Sequence, residues 1–238
     1  MAYELLILDR EEKVGRITLN RPQKRNALSA DLRYEIDRAI RELEGDEGIS
    51  VAVITGAGPA FCAGFDTTEF GITDPEFQKK AEESAARYHH HLQHFKKPIV
   101  AAVNGPALGG GLDMAVLCDV RIAAENAVFG HPEVKFGAPA LYAPLAELIG
   151  GSLARDLCLT GRRIDAHEAH RIGLVSQVVP PDRLMEEAMN TARLIAEAPL
   201  GTLIAIKGMI LGGYPWRFPE PGAAESSGLF EGSITPQT

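Results

Sequence analysis

Asn104-Gly105-Pro106-Ala107-Leu108-Gly109-Gly110-Gly111-Leu112-Asp113-Met114-Ala115 follows directly on the apolar run 98–103. A strand thus leads into a turn, three residues without Cβ, and a helix-compatible segment. Main chain of that kind lets a ligand approach closely. The first turn of the following helix offers N–H groups with no intrahelical partner, at the positive end of its dipole. Such a turn suits an oxyanion, for example a carbonyl oxygen gaining negative charge. Upstream, Val51-Ala52-Val53-Ile54-Thr55-Gly56 reads as a second buried strand, and Pro59-Ala60-Phe61-Cys62-Ala63-Gly64-Phe65-Asp66 forms another turn after it.

Strands alternate with helices through the first half, which predicts α/β layering. Residues 3–8 and 14–19 read as a hairpin around Glu11-Glu12-Lys13. Ser29 is placed to cap a helix whose Leu32, Ile36, Ile40 and Leu43 share one face and which ends at Gly45. Further strands are expected at 51–54, 99–103, 120–123 and 175–179. Residues 181–197 carry Leu184, Ala188, Ala192 and Ile195 at helical spacing, and Pro199 starts another helical pattern through Leu203, Ile206 and Ile210. We therefore expect a core domain over 1–195, with 196–238 a C-terminal helical segment and a shortened, Pro/Gly/Ser/Glu-rich tail.

The chain has 238 residues, 45% hydrophobic and 24% charged, enough to bury a sizeable core. Its net charge of -8 argues against nucleic acid or an anionic membrane surface as partner, since both favour basic footprints. Cys62, Cys118 and Cys158 lie in apolar settings without metal spacing and read as buried reduced thiols. With no basic, apolar leader at Met1 and no apolar run of spanning length, a cytoplasmic protein is expected.

Several ordered motifs resemble the enoyl-CoA hydratase/isomerase, or crotonase, superfamily. They are Ile17-Thr18-Leu19-Asn20-Arg21-Pro22, the Ala60–Asp66 block, the 98–123 signature, Phe129-Gly130-His131-Pro132-Glu133, Leu159-Thr160-Gly161-Arg162-Arg163 and Ala169-His170-Arg171-Ile172-Gly173-Leu174-Val175. The resemblance covers nearly everything up to about Leu211. It implies a crotonase-like spiral of ββα units with a helical C-terminal subdomain. It also implies an acyl-CoA thioester substrate whose carbonyl is held by the main-chain N–H groups of Phe65 and Gly110. Hydratases of the family carry two glutamates that position and activate water, and these map onto Asp113 and Glu133. Coenzyme A would be met by Lys24, Arg25, Ala27, Ala63, Asp66 and Thr68. No metal and no prosthetic group is implied, and a homotrimer or a dimer of trimers is expected.

The chain departs from that pattern in four places. Asp113 is one methylene shorter than glutamate. Thr68 stands where hydratases often have lysine. The segment 134–144 has Pro139 and Pro144 but lacks the Gly pair of the hydratases, so the acyl wall is expected to differ. After Phe230-Glu231-Gly232 only a few residues follow, where relatives continue into a terminal helix. The resemblance thus implies hydration of a 2-enoyl-CoA first. A double-bond isomerase using Glu133 alone, or a weakly catalytic thioester-binding protein, remains as an alternative. His90 and His94 fall one helical turn apart and His167 and His170 three residues apart; both pairs read as parts of polar helices rather than metal sites.

Overall fold

The computed structural model describes residues 2–212. Its strands are β1 (Leu6–Glu11), β2 (Val14–Leu19), β3 (Val51–Gly56), β4 (Ile99–Val103), β5 (Ala107–Leu108), β6 (Val120–Ala124), β7 (Val128–Gly130), β8 (Arg163–Asp165) and β9 (Gln177–Val179). Its α-helices are α1 (Ala30–Gly45), α2 (Pro75–Gln93), α3 (Gly110–Val116), α4 (Tyr142–Ile149), α5 (Gly151–Thr160), α6 (Ala166–Arg171), α7 (Leu184–Ala196) and α8 (Leu200–Leu211).

A six-stranded sheet runs in the order β1-β2-β3-β4-β6-β9, with only the β1–β2 pair antiparallel. A second sheet has the order β5-β7-β8. The chain visits them in turn: β4 then β5 then α3, and β6 then β7 then the helices that follow. That is the expected spiral of ββα units, and it places the turns after the parallel strands of the large sheet on the same flank of the molecule.

Central parallel strands are covered on both faces and so read as continuous apolar runs. Val51 and Val53 of β3, with Val100 and Ala102 of β4, pack under Leu184, Ala188 and Ala192 of α7. The alternate residues Ala52, Ile54, Ala101 and Val103 belong to the other core, with Leu32, Ile36 and Leu43 of α1. Ser29 caps α1 as anticipated, its side chain accepting from the Leu32 N–H at 3.3 Å.

Two expectations need adjusting. The first strand begins at Leu6 and extends to Glu11, because its register pairs Leu6 with Leu19 and Glu11 with Val14 across a turn at Glu12, φ 53°. The last strand shrinks to Gln177–Val179, since Leu174 and Val175 both donate to the Ala169 carbonyl and close the end of α6 instead. Helix α4, Tyr142–Ile149, accommodates Pro144 in its first turn. The expected tail after Gly212 lies outside the described residues. No single helix among the described residues is long and apolar enough to cross a membrane.

Arg121 on β6 holds α3 in place from below. Its buried guanidinium donates to the carbonyls of Ala115 and Cys118 at the end of α3, to Asp119, and to Leu174 at 2.6 Å. Replacement by Met would leave those carbonyls without donors. Arg121→Met should therefore lower unfolding stability by about 2–4 kcal/mol in a denaturant titration; a change within ~0.5 kcal/mol would contradict this role.

Candidate active site

Two loops meet at the carboxyl ends of β3 and β4. Asn104 joins them, its Oδ1 accepting from the Gly56 N–H at 3.1 Å while its Nδ2 donates to the Gly58 carbonyl at 2.9 Å. A short parallel bridge continues the contact: Cys62 N–H donates to Pro106 O, and Leu108 N–H to Cys62 O at 3.0 Å. Backbone packs so closely here that a Cβ on Gly111 would lie 2.1 Å from the Cys62 carbonyl oxygen. Gly64 has φ 96°, and a Cβ on it would sit 2.8 Å from Leu108 O and 3.4 Å from the Gly110 nitrogen. Only residues without side chains allow that approach.

The docking brings Phe65 and the start of α3 together. A Cβ on Gly110 would meet the Phe65 ring at 2.9 Å. Main-chain bonds run on either side of Phe65, from Leu28 N–H to Gly64 O and from Asp66 N–H to Leu28 O. Neither the Phe65 nor the Gly110 N–H has a hydrogen-bond partner among the described residues. Gly110 is the first residue of α3, where a helix leaves its N–H groups to other acceptors.

Asp113 follows one turn into α3 and is buried. Burial is the main reason its carboxyl is pushed up to about 6. The Glu133 carboxylate adds to the rise, while His131 and the Leu141 N–H hold it back. Glu133 lies in the short 3-10 helix Pro132–Phe136 after β7, where Pro132 supplies the first-turn φ. Its Oε2 is 3.0 Å from where a Cβ on Gly109 would be, so the carboxylate lies against the entrance to α3.

His131 is the residue that sequence reasoning missed. Its fully buried ring has Nδ1 2.8 Å from Glu133 Oε1 and Nε2 3.7 Å from Asp113 Oδ1. Asp113 Oδ1, His131 Nε2 and Glu133 Oε2 are all buried and have no hydrogen-bond partner among the described residues. Donor atoms of the three residues fall within 4.8 Å of one another, a spacing that suits either a shared cation or a proton network. The 2.8 Å bond already shows the second kind of contact. A lone histidine before a proline carries no periodic signal; only proximity to Asp113 reveals it.

The coenzyme candidates also converge. Lys24 and Arg25 are exposed, Arg25 with φ 50°, at the end of the short 3-10 helix Pro22–Lys24. Ala63 N–H donates to Arg25 O at 3.0 Å, and the Ala27 carbonyl accepts from Arg21 Nη1 at 2.5 Å. Asp66 has a different position from the other candidates: its buried carboxylate accepts from Arg21 Nη2 at 3.0 Å, and from the Thr68 N–H and hydroxyl at 3.1 and 2.7 Å. Asp66 and Thr68 therefore engage each other in capping the turn Thr67–Glu69. Buried Asn26, not singled out from sequence, ties the cation loop to the β3 loop through bonds to Arg21 N, Ala57 O and Ala60 O.

The histidines of α2 are less uniformly solvated than expected. His89 stacks on Phe65 with ring centroids 6.1 Å apart, and His91 pairs with the buried Asp37 carboxylate, while His90 and His94 stay exposed. Cys62, Cys118 and Cys158 are buried and unpaired, and burial pushes the Cys62 thiol up to about 12.

Comparison with known proteins places this architecture. The enoyl-CoA hydratase/isomerase family profile matches residues 9–212. A probable enoyl-CoA hydratase of Rhizobium meliloti is 42% identical over 210 residues, covering 87% of this chain and 81% of that protein. The short-chain-enoyl-CoA hydratase of Clostridium acetobutylicum is 39% identical over 210 residues, with coverages of 86% and 80%. The solved structure of an enoyl-CoA hydratase subunit from Geobacillus kaustophilus superposes with a TM-score of 0.82 at 38% identity, covering 90% of this chain and 84% of that one. By the extent of these matches, and with the same spiral of strands and helices, the chain belongs to the enoyl-CoA hydratase/isomerase family.

Proposed function

We propose that this protein adds water across the double bond of a 2-enoyl-CoA to give a 3-hydroxyacyl-CoA. The observation that carries the reading is the grouping of two unpartnered main-chain donors with two unpartnered buried carboxylate oxygens at the start of α3. Phe65 and Gly110 N–H groups would receive the thioester oxygen. As water adds at C3, negative charge moves onto that oxygen, and each preorganised donor is worth roughly 3–4 kcal/mol there.

Asp113 and Glu133 would hold the water between them. With its carboxyl near 6, Asp113 is mostly ionised at neutral pH and suited to take the proton of the attacking water. Glu133, at the lip of the same turn, would deliver a proton to C2. The hydroxyl goes to C3, one proton to Asp113 and one from Glu133, so the addition balances. This chemistry draws on no prosthetic group, and coenzyme A enters as part of the substrate.

The exposed Lys24 and Arg25 are offered to the coenzyme phosphates, with the Ala27–Ala63 main chain beside the pantetheine. Asp66 and Thr68 would support that wall from behind. Segment 134–144, with Phe136 82% exposed, would shape the acyl end. A homotrimer or dimer of trimers belongs to the same proposal, supported by the exposed apolar Ile206 and Ile210 on α8; sedimentation velocity tests it. The unpaired buried thiols support a reducing, cytoplasmic setting.

Asp113→Asn and Glu133→Gln should each reduce hydration of 2-enoyl-CoA esters by about 100-fold or more while thioester binding persists. Intact turnover in both variants would remove these groups from the mechanism. If instead Asp113→Asn alone spares conversion of 3-enoyl- to 2-enoyl-CoA, the isomerase reading prevails. For the wild type, kcat should fall as pH drops through about 6, as Asp113 gains its proton.

The same burial has a stability consequence. The Asp113 carboxyl rises above its ordinary 3.8 on folding, so its ionised form opposes folding fully above about pH 6 and not at all below about 4. Asp113→Asn should then stabilise the protein by on the order of 2 kcal/mol at pH 8 and by little at pH 4. Equal thermal shifts at both pH values would show that the buried charge is not the cause.

A further inference from the structure

We propose that His131 is a positioning residue for the hydration chemistry, its Nδ1 fixing the rotamer of Glu133 while its Nε2 faces Asp113 and governs the ionisation of that carboxylate. The inference rests on the hydratase reading above and deepens it.

The tautomer follows from the partners. A Glu133 that delivers a proton to C2 holds one beforehand, so its O–H donates to Nδ1 at 2.8 Å. In the neutral ring the proton then sits on Nε2, whose N–H faces Asp113. The 3.7 Å from Nε2 to Asp113 Oδ1 is too long for a hydrogen bond, yet between two buried groups it is a strong electrostatic contact. Both atoms are buried and otherwise unpartnered. A ring sealed on all sides leaves an unsatisfied nitrogen only at a cost, and here that nitrogen points at a carboxylate of the site.

The other titratable groups facing this network are Cys62 from the β3 loop, Tyr88 from α2 and Cys158 from α5. Burial raises all three, keeping them uncharged at neutral pH. His131 favours ionised Asp113 and Glu133 disfavours it, so the imidazole offsets the influence of Glu133 on its neighbour.

His131→Gln separates the two roles, because a side-chain amide can still bond to Glu133 but places no ring N–H opposite Asp113. The expected result is KM for a 2-enoyl-CoA within twofold of wild type, kcat at pH 7 lower by about tenfold, and the acid limb of the kcat profile about one pH unit higher. An unmoved acid limb overturns the proposal and leaves His131 a packing residue. The carboxyl 13C titration of Asp113 in His131→Gln reads the same shift without turnover. A wild type inactive on all enoyl-CoA esters would thus defeat the hydratase reading, while the titration still decides the coupling. If His131→Gln does not fold, the 15N resonance of His131 Nε2 in Asp113→Asn decides: a changed signal supports the link, and an unchanged one overturns it.

Discussion

Everything at the site depends on main chain packing against main chain where the β3 and β4 loops meet. Asn104 and the Cys62–Ala107 bridge bind the two loops side by side. Gly64 and Gly111 allow separations that any Cβ would forbid. The result is a rigid seam in which the Phe65 and Gly110 N–H groups are left over. Backbone donors held this way need no reorganisation when charge develops on a bound oxygen, which is where their catalytic value lies.

The neighbouring acid cluster pays a folding cost of a different kind. Asp113 Oδ1, His131 Nε2 and Glu133 Oε2 are three buried polar atoms without partners, close together. Folded proteins rarely tolerate such atoms without a reason. Grouped beside two unpartnered N–H donors, they form a polar pocket in an apolar shell, and dehydration there raises the Asp113 carboxyl into the range useful for proton chemistry. Arg121 keeps the helix that carries Asp113 anchored from the opposite end.

Around Lys24 and Arg25 the structure separates two groups of candidate residues that the sequence reading took together. Lys24 and Arg25 are exposed cations on a strained turn, while Asp66 and Thr68 are engaged with each other and with Arg21. Asn26 ties the turn to the β3 loop. The cations can thus be presented on a braced edge rather than a floating one.

Periodicity and turn chemistry in the sequence determined the α/β class, α1 with its Ser29 cap, the buried strands β3 and β4, and the glycine turn that opens α3. These are local matters, set by side-chain alternation, capping and the absence of Cβ. The ordered motifs carried the fold family and drew attention to Phe65, Gly110, Asp113 and Glu133. Tertiary structure alone decided that Phe65 and Gly110 adjoin with their N–H groups unpartnered, that Asp66 and Thr68 engage each other, and that His131 stands between Asp113 and Glu133. Those facts depend on distances between residues far apart along the chain. No local propensity encodes them, because they arise only when the two loops and β7 pack against the start of α3.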